Sequence, residues 1–246
     1  MLMIDIKSNS PHKAVREEIE TFLTEKGGEE WKYFSASILV HWQIMVKDFV
    51  PKYLHGLVLD DGCGHAPYLE VARQYSEKLI LLDHQLCHPE LDVCADVRKL
   101  PLPSEEFDCV LSFQVLEHVP NPFEAIGEIS RVLKQGGILL LSVPHLSRLH
   151  ELPHDYFRFT EQGLRELANI GGLEVLELVA TGGLMVFLGH QISTVFLLGL
   201  WRIKPLRKLS LWFNKHLISR VVAWLDRYLG FSKLFPQGYA LVARKK

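Results

Sequence analysis

Four short, almost unbroken apolar runs recur between residues 57 and 143, and helical stretches lie between them. The runs are Leu57–Asp60, Lys78–Asp83, Phe107–Phe113 and Gly137–Val143, with helical segments at 67–75 and 121–134. Strands that are apolar on both faces must be covered on both faces, so this alternation predicts a parallel sheet with helices on either side. Residues 173–180 follow a helical segment at 160–170 and read as a further strand, and residues 238–243, GYALVA, as a short last one. At 246 residues and 48% hydrophobic, the chain is long enough for one substantial core.

The remaining segments attach to that core as one domain spanning 1–246, with the core itself at 51–182 and 236–246. Residues 1–50 read as a helical cap. HKAVREEIETFLTEK carries Val15, Ile19, Phe22 and Leu23 at helical spacing, and SASILVHWQIMVKDFV continues the pattern to Pro51. Residues 183–235 read as a helical insertion before the last strand. Its first half, GLMVFLGHQISTVFLLGLW, is nearly apolar all round, and its second half aligns Leu206, Leu209, Phe213, Leu217, Val221, Trp224 and Tyr228 on one stripe.

Residues 184–201 are interrupted by His190, Gln191, Ser193 and Thr194, and they fall short of the ~20 apolar residues of a bilayer span. Two readings remain. The insertion is a lid that packs its apolar side on the sheet over an acceptor pocket, or 184–229 makes peripheral contact with an anionic membrane through Arg202, Lys204, Arg207, Lys208, Lys215 and Arg220.

A net charge of −2 leaves no global positive excess to attract a nucleic-acid backbone, so no nucleic-acid partner is expected. Cys63, Cys87, Cys94 and Cys109 form no C-x-x-C pair and suit a reducing compartment. Asp5 and Lys7 interrupt the apolar start MLMIDIKSNS, so it lacks the continuous core of a signal peptide. The expected location is cytoplasmic, at the inner face of the membrane if the membrane reading holds.

The first strand runs into VLDDGCGHAPYL, where a glycine loop feeds a helix. A phosphate-binding P-loop needs Gly-Lys-Ser or Gly-Lys-Thr, which does not follow Gly64. The dinucleotide fingerprint needs a third glycine at position 67, where Pro67 stands without an N–H. What remains is acid-x-Gly-x-Gly, Asp60-Asp61-Gly62-Cys63-Gly64, a loop for a ligand without phosphate.

At these residues the chain resembles the class I S-adenosylmethionine-dependent methyltransferases, in particular the small bacterial type with LDxGCG and LEHV motifs. The resemblance continues in order through KLILLDH, CADVRKLPLP, the LEHV at 116–119 and the Lys134-Gln135-Gly136-Gly137 turn. It implies a Rossmann-like seven-stranded, mostly parallel sheet whose last strand runs antiparallel. It also implies S-adenosylmethionine as cofactor, held by Asp60, Gly62, Cys63, Gly64, Asp83 with His84, Asp96, Val97 and Gln114. In that scheme Asp83 takes the ribose hydroxyls, and Asp96 and Val97 read the adenine. Gln114 lines the methionine. The departures are Ala66 and Pro67, which fit if Ala66 keeps a negative φ and Pro67 opens the helix.

After the fifth strand, PHLSRLHELPHDYFRFTEQGLREL concentrates polar groups. It is similar to the P-H-D-Y-x-R-F-T segment of a bacterial methyltransferase subgroup. His154, Asp155 and Tyr156 are the candidate catalytic residues for methylating a hydroxyl, and Asp155 with Arg158 can equally form a structural ion pair. His145, His150 and His154 do not align as a metal set, because Pro153 interrupts any helix through them. No metal is expected. His118 reads as packing on the cofactor loop.

The acceptor expected is a small or lipid-linked molecule, a sugar or glycolipid hydroxyl first. The alternatives are C-methylation of a prenylated quinone-type ring and a non-catalytic S-adenosylmethionine-binding regulator. A nicotinamide oxidoreductase is disfavoured by Pro67.

Overall fold

The computed structural model describes residues 32–246 together with Glu18. The helix expected over 12–26 otherwise lies outside these residues. The described chain forms two compact units. One comprises Gln43–Thr181 and Gly238–Lys246, and the other comprises the described residues up to Trp42 with Gly182–Gln237.

The first unit holds seven strands: β1 Leu57–Asp61, β2 Lys78–Asp83, β3 Val93–Cys94, β4 Phe107–Phe113, β5 Leu133–Pro144, β6 Leu173–Ala180 and β7 Gly238–Lys245. Their order is β3-β2-β1-β4-β5-β7-β6. β1 pairs in parallel with both β2 and β4, and β5 joins β4 in parallel. β7 runs antiparallel to both β5 and β6. The expected seven-stranded, mostly parallel sheet is therefore present. Leu59, Val110 and Leu139 in its central strands are fully buried, which accounts for the unbroken apolar runs.

Strand order reverses between β1 and β4, so the crevice of this sheet opens at their carboxyl ends, where an open α/β fold binds ligands. Helix α3 (Leu69–Tyr75) follows β1, and helix α4 (Pro122–Val132) precedes β5. Helix α5 (Glu161–Ile170) starts at Thr160, whose hydroxyl accepts the Gly163 N–H as expected of an N-cap. Ahead of β1, a π-helical stretch at Gln43–Phe49 leads into helix α2, Val50–Tyr53. Pro51 thus lies in the first turn of α2, where proline is tolerated, and does not end the helical segment.

The second unit is helical: α1 Ala36–Trp42, α6 Leu184–Trp201, α7 Arg207–Phe213 and α8 Arg220–Leu229. Its interior is unusually polar. Asp226 is buried and accepts the Met185 N–H at 3.0 Å, holding the first turn of α6. Buried Asn214 donates to the carbonyls of Tyr33 at 2.7 Å and Phe34 at 2.9 Å. On α6, Gly189, Ser193 and Thr194 face inward, whereas Leu188, Ile192 and Val195 are exposed. The same inversion continues along α7 and α8, where Leu209, Trp212, Trp224 and Tyr228 are all more than half exposed. Most of the apolar stripe read from the sequence is exposed.

Candidate active site

The carboxyl ends of β1, β2, β4 and β5 converge on the glycine loop. Gly62 has φ +76°, and a Cβ there would meet Val115 Cγ2 at 2.4 Å, so glycine is required on both counts. Gly64 has φ +54° with nothing within 4 Å of where a Cβ would sit, which leaves space beside the loop. Its amides point back to β2. Gly62 N and Cys63 N both donate to the Leu82 carbonyl, at 2.8 and 3.0 Å, and Gly64 N donates to Asp83 Oδ2 at 3.0 Å. A phosphate cradle needs those N–H groups free, so the geometry excludes one independently of the missing lysine.

Two expectations at the loop are corrected. Ala66 has φ +50°, not a negative value. The left-handed turn that other chains assign to glycine is made here by alanine, and Ala66 N closes it on the Cys63 carbonyl at 2.8 Å. Helix α3 begins at Leu69, so Pro67 lies in the turn before it and not in its first turn.

The floor of the site is acidic. Asp60 is buried, its Oδ2 has no hydrogen-bond partner, and burial followed by the nearby Asp83 raises its pKa to about 7. Asp61, the next residue, is fully buried with neither oxygen hydrogen-bonded. Burial, then Asp60, Asp83 and Asp96, push its pKa well up. Asp83 ends β2 with Oδ2 on Gly64 N and Oδ1 accepting Gln85 N at 3.0 Å. His84 is exposed beside it, with Nδ1 3.0 Å from Asp83 Oδ1.

The remaining cofactor candidates occupy the same edge. Asp96 is half exposed and is clasped by Arg98, whose Nη2 donates at 2.6 Å and whose side chain holds the carboxyl below its usual range. The sequence reading did not foresee that clasp. Val97 is buried in the main core. Gln114, just past β4, has φ +59° and is fastened to β5 by its N–H on the Ser142 carbonyl at 2.9 Å. Tyr68, also unanticipated, sets its ring edge-on to Phe113 at 5.0 Å, and its hydroxyl pKa is raised by burial and then by Asp60.

The structure separates the three catalytic candidates. Asp155 has a fully buried carboxylate that takes Arg158 Nη1 at 2.5 Å, Arg158 Nη2 at 2.8 Å and His150 N at 2.9 Å. These donors outweigh the burial and lower its pKa, so Asp155 is held in an ion pair that fastens the loop. His154 and Tyr156 are exposed and face each other, Nδ1 to Oη 2.9 Å. The loop is anchored by Tyr156 N on the Glu117 carbonyl at 2.8 Å. His145, His150 and His154 each turn to a different partner: the Phe159 carbonyl, the Arg148 carbonyl and Tyr156.

A methyltransferase-domain family model matches residues 59–141. A probable S-adenosylmethionine-dependent methyltransferase of Mycolicibacterium smegmatis is 30% identical over 133 residues, covering 48% of this chain and 52% of that protein. The segment from β1 to β5 is thus similar to a methyltransferase domain, and the sheet has that domain's fold. The cofactor that this relative's name gives is S-adenosylmethionine.

The chain spans about half the length of the curated relatives it matches. Among solved structures, a methyltransferase from Archaeoglobus fulgidus superposes with a TM-score of 0.57 at 16% identity, over 94% of this chain and 99% of that one. The (4+2)-cyclase SpnF gives 0.58 at 21% identity, over 85% and 81%. At such identities the likeness concerns the methyltransferase fold alone. The residues present suit this cofactor: the loop carries no cation for phosphate, and the floor offers Asp60 Oδ2 without a hydrogen bond and open space at Gly64.

Proposed function

We propose that the protein transfers the methyl group of S-adenosylmethionine to a small-molecule acceptor, favouring a hydroxyl of a sugar or glycolipid. The observation that carries this is the exposed His154–Tyr156 pair. It sits on a loop fastened by Glu117 and by the Asp155–Arg158 ion pair, beyond the carboxyl end of β5 and on the same sheet edge as the glycine loop.

In this reading Asp83 holds the ribose diol, Asp96 the adenine amino group and Gln114 the methionine end. Asp60, with Gly62, Cys63 and Gly64, forms the floor beneath. When bound, the cofactor supplies an activated methyl carbon on a sulfonium. With His154 Nδ1–H donating to the Tyr156 oxygen, Nε2 keeps a lone pair. That nitrogen takes the acceptor's hydroxyl proton as the carbon–oxygen bond forms and the carbon–sulfur bond breaks.

His154→Ala is expected to lower turnover by ~100-fold or more while leaving S-adenosylmethionine affinity unchanged. Calorimetry beside a product assay by mass spectrometry, with labelled cofactor and a membrane-lipid fraction, checks it. Unchanged turnover removes His154 from the base role. Tight binding with no labelled product from any fraction supports the non-catalytic regulator instead, and a label on ring carbon supports the quinone-type acceptor.

The inverted helical unit supports a second part of the proposal, peripheral contact with an anionic membrane at its inner face. Water favours polar residues outside, but here Ser193, Asn214, Ser219 and Asp226 are inside, and Trp212, Leu217, Trp224 and Tyr228 are outside. Exposed Arg202, Lys204, Lys208 and Arg227 lie on the same helices and turns. Among the described residues, helix α6 is the one that by length and composition could cross a bilayer, with a mean hydropathy of 1.6 and one-third of it buried. The four free cysteines fit a reducing compartment. Co-sedimentation with phosphatidylserine-containing vesicles is expected, and Trp212→Ala with Trp224→Ala should weaken it by about tenfold. No sedimentation at low salt would sink this part of the proposal.

A further inference from the structure

The LEHV segment forms a short 3-10 turn at Leu116–His118, and it carries a cluster that the methyl-transfer reading does not use. Glu117 is fully buried, and neither of its carboxylate oxygens has a hydrogen-bond partner. Two imidazoles face it: His118 Nε2 and His150 Nε2 each lie 3.8 Å from the same oxygen, Oε1. The rings meet edge to face, with centroids 4.8 Å apart.

The opposite ring nitrogens set the tautomer of each neutral ring. His118 Nδ1 lies 2.6 Å from the His154 carbonyl, and His150 Nδ1 lies 3.2 Å from the Arg148 carbonyl. A carbonyl oxygen only accepts, so each Nδ1 carries the hydrogen. In the neutral rings each Nε2 then presents a lone pair. Two imidazole nitrogens and a carboxylate oxygen therefore converge on one point. Arg158 interacts electrostatically with Glu117 but commits its guanidinium hydrogen bonds to Asp155 and to the Phe157 and Arg148 carbonyls.

We propose that Glu117, His118 and His150 bind a divalent transition-metal ion, Zn²⁺ or an ion of similar preference. A two-histidine, one-carboxylate set suits such an ion, and imidazoles that donate their other N–H to backbone carbonyls are the usual second layer of support. The three ligand atoms lie within 4.8 Å of one another. Ligands at 2.0–2.2 Å from a tetrahedral ion lie roughly 3.4 Å apart, so side-chain movements of about an ångström close the site.

The frame around the cluster is already held. Glu117 O accepts Tyr156 N and Phe157 N, and His150 N is tied to Asp155, which is tied to Arg158. His118 and His150 keep 21% and 16% of their side chains exposed, which gives the ion a path in. Three protein ligands leave a fourth position for water or an acceptor oxygen beside His154. The binding claim stands whether or not the chain transfers methyl groups.

A second group, Cys63, Asp83 and Cys87, also has metal-like spacing, but it lies on the cofactor floor, with Asp83 committed to Gly64 N and Gln85 N.

The test uses the full chain, stripped with a chelator and titrated separately with Co²⁺ and Zn²⁺. The expected result is one equivalent of Co²⁺ giving visible d–d bands without thiolate charge-transfer absorption, and Zn²⁺ raising the melting temperature. Glu117→Gln, which keeps the side chain's shape, and His150→Ala should each weaken Zn²⁺ binding by at least tenfold. His216→Ala, an exposed imidazole of the other unit, should leave it unchanged. Failure to take up either ion, thiolate-to-cobalt absorption, or uptake undiminished in both variants would overturn the assignment.

Discussion

Asp83→Ala is expected to weaken S-adenosylmethionine binding by about a hundredfold, more than any other single change on the cofactor floor. Its carboxylate does two things at once. Oδ2 takes the Gly64 amide and Oδ1 takes the Gln85 amide, so the side chain shapes the loop. Each oxygen retains a lone pair, and in the proposed function these accept the ribose hydroxyls. A hydrogen bond to a charged group contributes about 1.5–3 kcal/mol, so losing two of them sets a loss on the order of a hundredfold as the lower bound. Asp83→Asn keeps one acceptor oxygen and should fall between. Calorimetry on protein shown to be folded by circular dichroism measures both. Affinity within threefold of wild type in the alanine variant would refute the assignment of the ribose to Asp83.

The second large effect concerns Asp61 and pH. Asp61 is fully buried beside Asp60, and both have pKa values raised chiefly by burial, Asp60 to about 7. A carboxyl whose folded pKa exceeds its unfolded value of ~3.9 binds its proton more tightly in the folded state. Its contribution to stability is complete below ~pH 4 and is lost as pH rises through the folded pKa. The cofactor-free protein should therefore melt at progressively lower temperature from pH 5 to pH 8.

Carboxylates with lowered pKa, such as Asp155 and Glu128, act in the opposite sense, but only below that window. Asp61→Asn removes the charge while keeping the shape. At pH 8 it should stabilise the protein by about 1–3 kcal/mol, several degrees in melting temperature, and flatten the pH slope. An unchanged slope, or a variant less stable than wild type at pH 8, would show that burial does not raise the pKa of Asp61.

The strands were legible because their residues are apolar on both faces, and β2, β4 and β6 run between the residues the sequence indicates. β3 was missed because two residues, Val93 and Cys94, are too few to display a period. β5 begins four residues before Gly137, because Leu133 pairs with Phe107 ahead of a register shift. The order of acids at strand ends was readable, but their burial was not. Asp60 and Asp61 are adjacent in the sequence and both buried, and nothing local distinguishes a floor carboxylate from a solvated one.

Ala66 broke expectation because the neighbouring turn, not the residue's own preference, sets its φ. Glu117 was overlooked because an acid within an apolar run reads as an interruption. Only the fold shows that His118 and His150, distant in sequence, close on it. The helical unit was readable as apolar, but hydropathy carries no sign for inward or outward, and polar Asn214 and Asp226 gave the only hint of inversion.

The strand pairing around β7 has a further consequence. Ala180 of β6 is paired with Tyr239 of β7, and Thr181 N donates to the Gly238 carbonyl at 2.9 Å. Residues 182–237 therefore leave and re-enter the sheet at adjacent points, so in topological terms they are the turn of a β-hairpin. The entropy of closing a chain grows only with the logarithm of its length, and the register of β6 on β7 is set by the strands themselves. The segment is thus an exchangeable cassette. Its length or sequence can change without moving the strand ends that carry Asp60, Asp83 and Gln114.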